Sequence, residues 1–448
     1  MRLLLALIIC ILVVTDMYGI TLQLAPGLSV KNAFVYPTAM LLALQMLLRG
    51  GWKFDVPGVQ LAFAVLVIYA LLTLTVQSFI IHFPRYEPWV SAMALKSTLI
   101  DWAVFFFVFF NAPRDARAAE GLTKVLLAAI SVANAVTISN VIGLTHIGID
   151  PIGYDEPSQP RVTGAFGHPN ETGTMLAALL PAYIAAAEST RGLRKMMWIG
   201  MMGATAGVML LTTSRGAIVG LVIGSIWAAV VCRKYLSWER ATKWAMVGLA
   251  LMVPLLAVVG VHYHDAIIRR LSTGSSARSL DELSSGRWEL WTEGLLKMMD
   301  FPVTLITGYG WNMWSVMAFR FVPHNQYLWV WFELGLAGLV SFILLFRNSI
   351  VAALAAMRAA HPPDRAYQMA FVFGMLILAV GVVFANLWIP WLYLCAYIGL
   401  SLRGAVSVLA EAPEAAPKAA RAAPLPTTRL AHSRDLRTGP RLPERVTR

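Results

Sequence analysis

An all-α, polytopic membrane helical bundle is the fold class this sequence predicts. Mean hydropathy is +0.66, and only 13% of the residues are charged, against roughly 25% in an ordinary soluble domain. Apolar runs near membrane-crossing length also recur along the chain. A span needs about 20 mostly apolar residues, and on that criterion twelve are expected. They lie near 2–18, 32–48, 57–78, 97–112, 121–144, 170–188, 196–213, 216–232, 244–261, 325–346, 367–387 and 388–404. The first run, LLLALIICILVV, is followed by TDMYG without a small-x-small cleavage site, so it reads as a span and not as a signal peptide.

The sign of the loops gives the orientation. With the N-terminus in the cytoplasm, the inside segments before the tail hold sixteen basic residues, including Arg114, Arg117, Arg191, Arg194, Lys195, Arg233 and Lys234. The short outside segments hold Lys31, Arg85, Lys96, Arg161 and Arg215, so the positive-inside bias favours this orientation over its inverse. Because membrane proteins sort Lys and Arg by side, the net charge of +12 points to no nucleic-acid partner. Residues 1–405 are then one transmembrane domain, and two long outside loops are expected, 145–169 and, between spans nine and ten, 262–324. Loops of that length are often functional.

Past Arg403 the composition turns to Ala, Pro and Arg, too poor in large apolar residues to offset ordering entropy, so 406–448 reads as a disordered basic cytoplasmic tail. It could graze anionic headgroups, or be a solvated tail of no specific role. Cys10, Cys232 and Cys395 all sit in apolar runs, which offers neither a disulfide framework nor a paired-thiol metal site. They read as small core residues.

Four polar stretches, all on the expected outer side, break the apolar pattern. In RVTGAFGHPNETG, residues 161–173, Gly164, Gly167 and Pro169 force turns, and Asn170 to Thr172 can cap the sixth span. A helix N-terminus suits a phosphate; a plain loop-to-helix cap accounts for the same residues. In TTSRGA, residues 212–217, Arg215 stands on the side depleted of basic residues, as a ligand for an anion or as a snorkelling interfacial arginine.

In SSGRWELW, residues 284–291, a helix would put Arg287 and Trp291 on one face, with Trp288 beside them. Trp288 and Trp291 also read as interfacial anchors, with Arg287 solvated. In VPHNQYLWVWFELGLAGL, residues 322–339, Pro323 ends the loop and His324 opens the tenth span. A histidine there can act as a base near neutral pH or serve as an interfacial hydrogen-bonding residue. Glu333, nine residues on, should not share its face and is expected to have a structural role within the bundle.

Taken together, GxFGHPN, SRGA, GRWELW and PHNQYLWVWFELG resemble the O-antigen ligase and Wzy-type polymerase superfamily, membrane glycosyltransferases that use undecaprenyl-diphosphate-linked glycans. The resemblance covers about residues 160–345, and residues 1–150 share only hydropathy. It implies a GT-C-like bundle in the bacterial inner membrane, an active site facing the periplasm, no metal, no cofactor, and inversion at the anomeric carbon. It implies an O-antigen ligase moving a glycan from undecaprenyl diphosphate to lipid A-core, or alternatively a Wzy-type O-antigen or exopolysaccharide polymerase extending a growing glycan. Arg215, Arg287 and His324 fall on the catalytic positions, and Arg161, Gly167, Asn170, Trp288 and Asn325 on substrate-binding ones. His168 stands where Asn is common before the Pro-Asn pair and is given no catalytic role.

The chemistry fits these residue types. A sugar on a lipid diphosphate has a good leaving group, so the protein must stabilise growing negative charge. Two arginines, always charged and able to bind phosphate bidentately, can do so without a metal. His324 would take the acceptor hydroxyl's proton, with Glu171 or Glu289 the next candidates. No DxD pair lies outside, and the cluster His262, His264 and Asp265 reads as a helix-end cap. A flippase or transporter would predict inverted repeats and helices broken at the midplane. No such repeat is visible, and the polar residues gather at one surface. An assembly protein without chemistry would leave the two arginines and the histidine far apart.

Overall fold

The structure, a computed structural model, describes residues 1–19, 23–25, 28–48, 55–148, 152–154, 160–237, 239, 242–248, 250, 284, 286–317, 319 and 321–411. The chain divides into Met1–Glu411 and Ala412–Arg448, the second lying outside the described residues. The described part is built from helices, with two short hairpins. These are β1 (Gln23–Ala25) with β2 (Leu28–Ser29), and β3 (Ile152–Tyr154) with β4 (Pro160–Val162), both antiparallel.

The N-terminal half holds α1 (Arg2–Met17), α2 (Val30–Leu48), α3 (Pro57–Val76), α4 (Pro88–Leu95), α5 (Asp101–Asn111) and α6 (Ala116–Val141). Then come α7 (Pro169–Glu188), α8 (Gly192–Leu211) and α9 (Arg215–Val231). The C-terminal half has the short α10 (Arg287–Asp300), α11 (Thr304–Thr307) and α12 (Met313–Val316), followed by α13 (Gln326–Ala359), α14 (Pro362–Gly381) and α15 (Pro390–Glu411).

Among the described residues, six helical stretches are long and apolar enough to cross a membrane: Pro57–Ile81, Pro88–Asn111, Ala116–Val141, Gln326–Ala359, Asp364–Gly381 and Pro390–Glu411. Helices also lie at the expected first, second and sixth to eighth spans, and Arg215–Val231 is a shorter apolar helix. Most of the expected ninth span, 244–261, lies outside the described residues, as does the His262, His264 and Asp265 cluster.

Several boundaries move. The fourth span begins at Pro88, not 97, because α4 runs into α5 through a π-helical segment, Lys96–Ile100. Asp101 is buried there and accepts from Asn32 Nδ2 (2.9 Å), Tyr36 Oη (2.8 Å) and Lys96 Nζ (3.3 Å), so the helix carries its polar residue inward with its partners. The last helix runs to Glu411, past the expected tail boundary at 406. Ala405 and Val408 pack on Ala356 of α13 and on Ala360, the residue that follows it, which continues the buried face. Within the expected loop 262–324, the described residues include the three short helices α10 to α12.

Helix α13 is broken at Gly335 (φ 58°, ψ −158°). A Cβ there would overlap Ile306 O and Gly308 N, so only glycine admits this close approach of the segment before the helix. The freed carbonyls of Phe332 and Glu333 accept from Tyr309 N (2.8 Å) and Gly310 N (2.9 Å). The Glu333 carboxylate accepts from Asn312 N (2.6 Å) and Trp314 N (3.3 Å). This is the structural role expected of Glu333: it receives the 308–314 turn into the bundle and satisfies two amides.

Close packing in the C-terminal half depends on small residues. Gly216, Gly220 and Gly224 line one face of α9 at four-residue spacing, and a Cβ on Gly220 would come within 3.0 Å of Gly381 Cα in α14. Small residues at this period let two backbones approach in a bundle where lipid gives helices no hydrophobic drive to associate.

Candidate functional site

The first stretch folds into a braced turn ahead of α7. Arg161, 4% exposed, donates from Nη2 to Asn170 Oδ1 (3.0 Å) and to Thr212 O (3.1 Å). Thr172 Oγ1 donates to Thr163 O (2.6 Å), closing the turn on the helix. His168 is the N-cap, its Nδ1 accepting from Asn170 N (3.2 Å), and Pro169 follows at the first helical position, where its missing N–H costs nothing. Arg161, braced by Asn170, thus holds the first stretch to the second through Thr212 O.

In the second stretch Thr213 takes a left-handed φ of 49°, Ser214 caps α9 by accepting from Ala217 N (3.3 Å), and Arg215 is the first helical residue. Gly173 of α7 faces this turn, where a Cβ would lie 2.7 Å from Thr212 Oγ1. The third stretch is helical, with Arg287 opening α10 after Gly286 (φ 77°). Trp288 is half exposed, and its N–H donates to Ser284 Oγ (2.9 Å). Trp291 turns inward and donates from Nε1 to Pro323 O (2.6 Å), which fastens α10 to the residue before His324.

The fourth stretch repeats the device of the second. His324 has φ 48°, and Asn325 is the N-cap of α13, its Oδ1 accepting from Leu328 N (3.0 Å). Two non-glycine residues held left-handed, one two positions before Arg215 and one at His324 itself, are costly conformations that persist where the surroundings over-determine them. The His324 ring lies beside that of His168, with centroids 5.4 Å apart.

Sequence reasoning missed the segment that joins these stretches, the connection 382–389 between α14 and α15. Val382 O accepts from Gln326 N (2.8 Å), and Leu387 N donates to Gln326 Oε1 (2.8 Å). Trp388 N donates to Glu171 Oε2 (2.8 Å), and the Trp388 ring meets Trp329 edge to face at 5.0 Å. Phe384 is the neighbour a Cβ on Gly216 would strike, at 2.5 Å, and Ile389 Cδ1 lies 3.4 Å from the Cβ position of the exposed Gly167. One connection therefore touches the first, second and fourth stretches, while α10 is tied to the fourth through Trp291. The one signal in its apolar sequence, VVFANLWI, was Asn386.

Among the described residues no group of three or more His, Cys, Asp or Glu is arranged to hold a metal.

Residues 200–343 match the O-Antigen ligase family model. The matched segment spans the SRGA, GRWELW and PHNQYLWVWFELG stretches, and the first stretch lies just ahead of it. No curated protein matches the chain. The match supports the O-antigen ligase-like superfamily that the motifs resemble, and with it a multi-pass membrane glycosyltransferase of ligase or polymerase type. Arg215, Arg287 and His324 stand at helix starts, each held by a turn, so rigid elements fix where the side chains begin.

Proposed function

We propose that this protein is an inverting glycosyltransferase of the bacterial inner membrane. It moves a glycan from undecaprenyl diphosphate to an acceptor sugar on the periplasmic face, with lipid A-core as the acceptor of an O-antigen ligase. The observation that carries the reading is the chain of contacts linking four stretches far apart in sequence. Arg161 donates to Thr212 O, Gln326 binds the 382–389 connection at Val382 and Leu387, that connection binds Glu171, and Trp291 binds Pro323 O.

In this reading Arg215 and Arg287 bind the diphosphate. Their planar guanidinium groups pair with phosphate oxygens and stabilise the charge that grows as the sugar–phosphate bond breaks. His324 takes the proton of the acceptor hydroxyl as its oxygen attacks the anomeric carbon from the opposite side. The undecaprenyl diphosphate leaves with the bonding electrons, and no metal is required. Exposed Trp288 and Gly167, together with Asn325, line the approach of substrate, and Arg161 and Asn170 hold the turn that begins it.

The test is direct. Purified protein in detergent, given lipid-linked glycan and lipid A-core, should form a new glycosidic linkage, and added chelator should leave the rate unchanged. A transporter would form no linkage, and a chelator-sensitive rate would overturn the metal-free mechanism.

A further inference from the structure

Asn386 lies in the 382–389 connection and is 1% exposed, yet neither its Oδ1 nor its Nδ2 has a hydrogen-bond partner among the described residues. Buried carboxamides are nearly always paired, so both ends left open in one side chain is exceptional. Its neighbours are engaged: Leu387 N with Gln326 Oε1, Trp388 N with Glu171, and Phe384 against Gly216. Gln326, fully buried, likewise has no partner for Nε2 among the described residues, although its Oε1 accepts from Leu387 N. Two carboxamides with open positions thus belong to one hydrogen-bonded unit, which rests on the residue after Arg215 and lies two positions past His324. Phe384 and Trp388, two positions to either side of Asn386, are only partly buried.

Building on the glycosyltransferase reading, we propose that Asn386 is a substrate-binding residue whose carboxamide hydrogen-bonds the ring hydroxyls of a sugar. The chemistry selects the ligand. A carboxamide offers an acceptor and two donors side by side, and neighbouring sugar hydroxyls can each give and take a hydrogen bond, so a diol satisfies both ends. A phosphate has acceptors only and would leave Oδ1 unmet, and a lipid chain would satisfy neither end. Trp388, two residues on, adds an aromatic surface of the kind that covers the C–H face of a sugar ring. The donor's first sugar and the acceptor's terminal sugar share this chemistry.

The experiment measures binding by the purified full-length chain, wild type against Asn386→Leu. Asn386→Ala, which removes the amide without adding bulk, serves as the second variant should the leucine not be accommodated. Three ligands are used: undecaprenyl-diphosphate-linked glycan, lipid A-core, and undecaprenyl diphosphate without glycan. The expected result is a loss of at least about tenfold in affinity for one glycan-bearing ligand, equal to the roughly 1.4 kcal/mol that one tenfold step represents, with glycan-free undecaprenyl diphosphate bound as by wild type. Loss on the lipid-linked glycan assigns Asn386 to the donor sugar, and loss on lipid A-core assigns it to the acceptor. Unchanged binding of both glycan-bearing ligands overturns the proposal alone, as does an equal loss on all three, which marks a structural amide. A wild-type chain that binds neither glycan-bearing ligand overturns this proposal and the glycosyltransferase reading together.

Discussion

The imidazole rings of His168 and His324 lie 5.4 Å apart, tilted by 33°, although 156 positions of chain separate them. The cap of α7 and the residue just before the cap of α13 therefore lie side by side. His168 is already engaged at Asn170 N, which fixes the ring against which His324 rests. His168→Asn, the residue common at this place in the family the motifs resemble, keeps a side-chain oxygen for the cap. It should leave the fold intact and change turnover by less than about tenfold, within the range of a cap-conserving change. Loss of most turnover in His168→Asn would show that the ring itself takes part in the reaction.

Arg215→Lys and Arg287→Lys should insert and melt like wild type and yet lose turnover. A point-charge ammonium cannot reproduce a bidentate fork. Losing one hydrogen bond to a charged group, worth about 1.5–3 kcal/mol, corresponds to a fall of roughly ten- to 150-fold in rate. Near-wild-type rates in both variants would rule out the diphosphate clamp.

Arg161 and Asn170 separate bracing from substrate contact. Asn170→Asp keeps the oxygen that accepts from Arg161 Nη2 and adds a charge opposite it, so the turn should hold and activity should persist. Asn170→Ala removes the acceptor from a buried guanidinium and should lower the melting temperature together with the rate. Equal stability in the two variants, measured by thermal unfolding in detergent, would contradict the bracing role.

Glu333 should matter for stability before it matters for chemistry. Glu333→Leu leaves the amides of Asn312 and Trp314 unmet, at about 1–3 kcal/mol for each buried group, and frees the 308–314 turn. Glu333→Gln keeps one acceptor oxygen and should fall between leucine and wild type. Thermal unfolding of the three proteins gives the order, and a leucine variant as stable as wild type would contradict the account.

Gly224→Val tests the seam between α9 and α14. The new Cβ would overlap the backbone of Ile377, so backbone itself would have to move. The variant should accumulate poorly or melt well below wild type, whereas valine at Gly200, where a Cβ meets nothing within 4 Å, should be tolerated. Equal yields of the two variants would show that the helices do not pack as described.

Much of the helical layout was legible because apolar length is a one-dimensional signal. Pro57, Pro169 and Pro362 mark helix starts, and the α9 segment follows directly from the SRGA turn. The break at Gly335 was not legible, since a glycine in an apolar run is ordinary in a membrane helix. Its meaning depends on the 308–314 turn arriving alongside. The start at Pro88 was hidden because Lys96 and Asp101 interrupt the hydropathy, and only their contact with each other and with α2 makes them compatible with a helix. In the site, charged and histidine residues announced themselves by type. The 382–389 connection did not: it acts largely through main-chain groups, Val382 O, Leu387 N and Trp388 N, which every sequence possesses. Arg161 and Asn170 were visible as polar, but their mutual hydrogen bond was not.

If the site built around His324 performs glycan transfer with His324 as the base, the pH–rate profile of His324→Ala shows it most directly. A protonated imidazole has no lone pair for the acceptor's proton, so the wild-type rate should fall as pH drops through the ionisation of His324. The alanine variant should bind lipid-linked donor as tightly as wild type, lose most of its turnover, by roughly 10²- to 10⁴-fold for a general base, and show no such acid limb. A His324→Ala protein that binds donor and keeps both the wild-type rate and its acid limb would contradict the account.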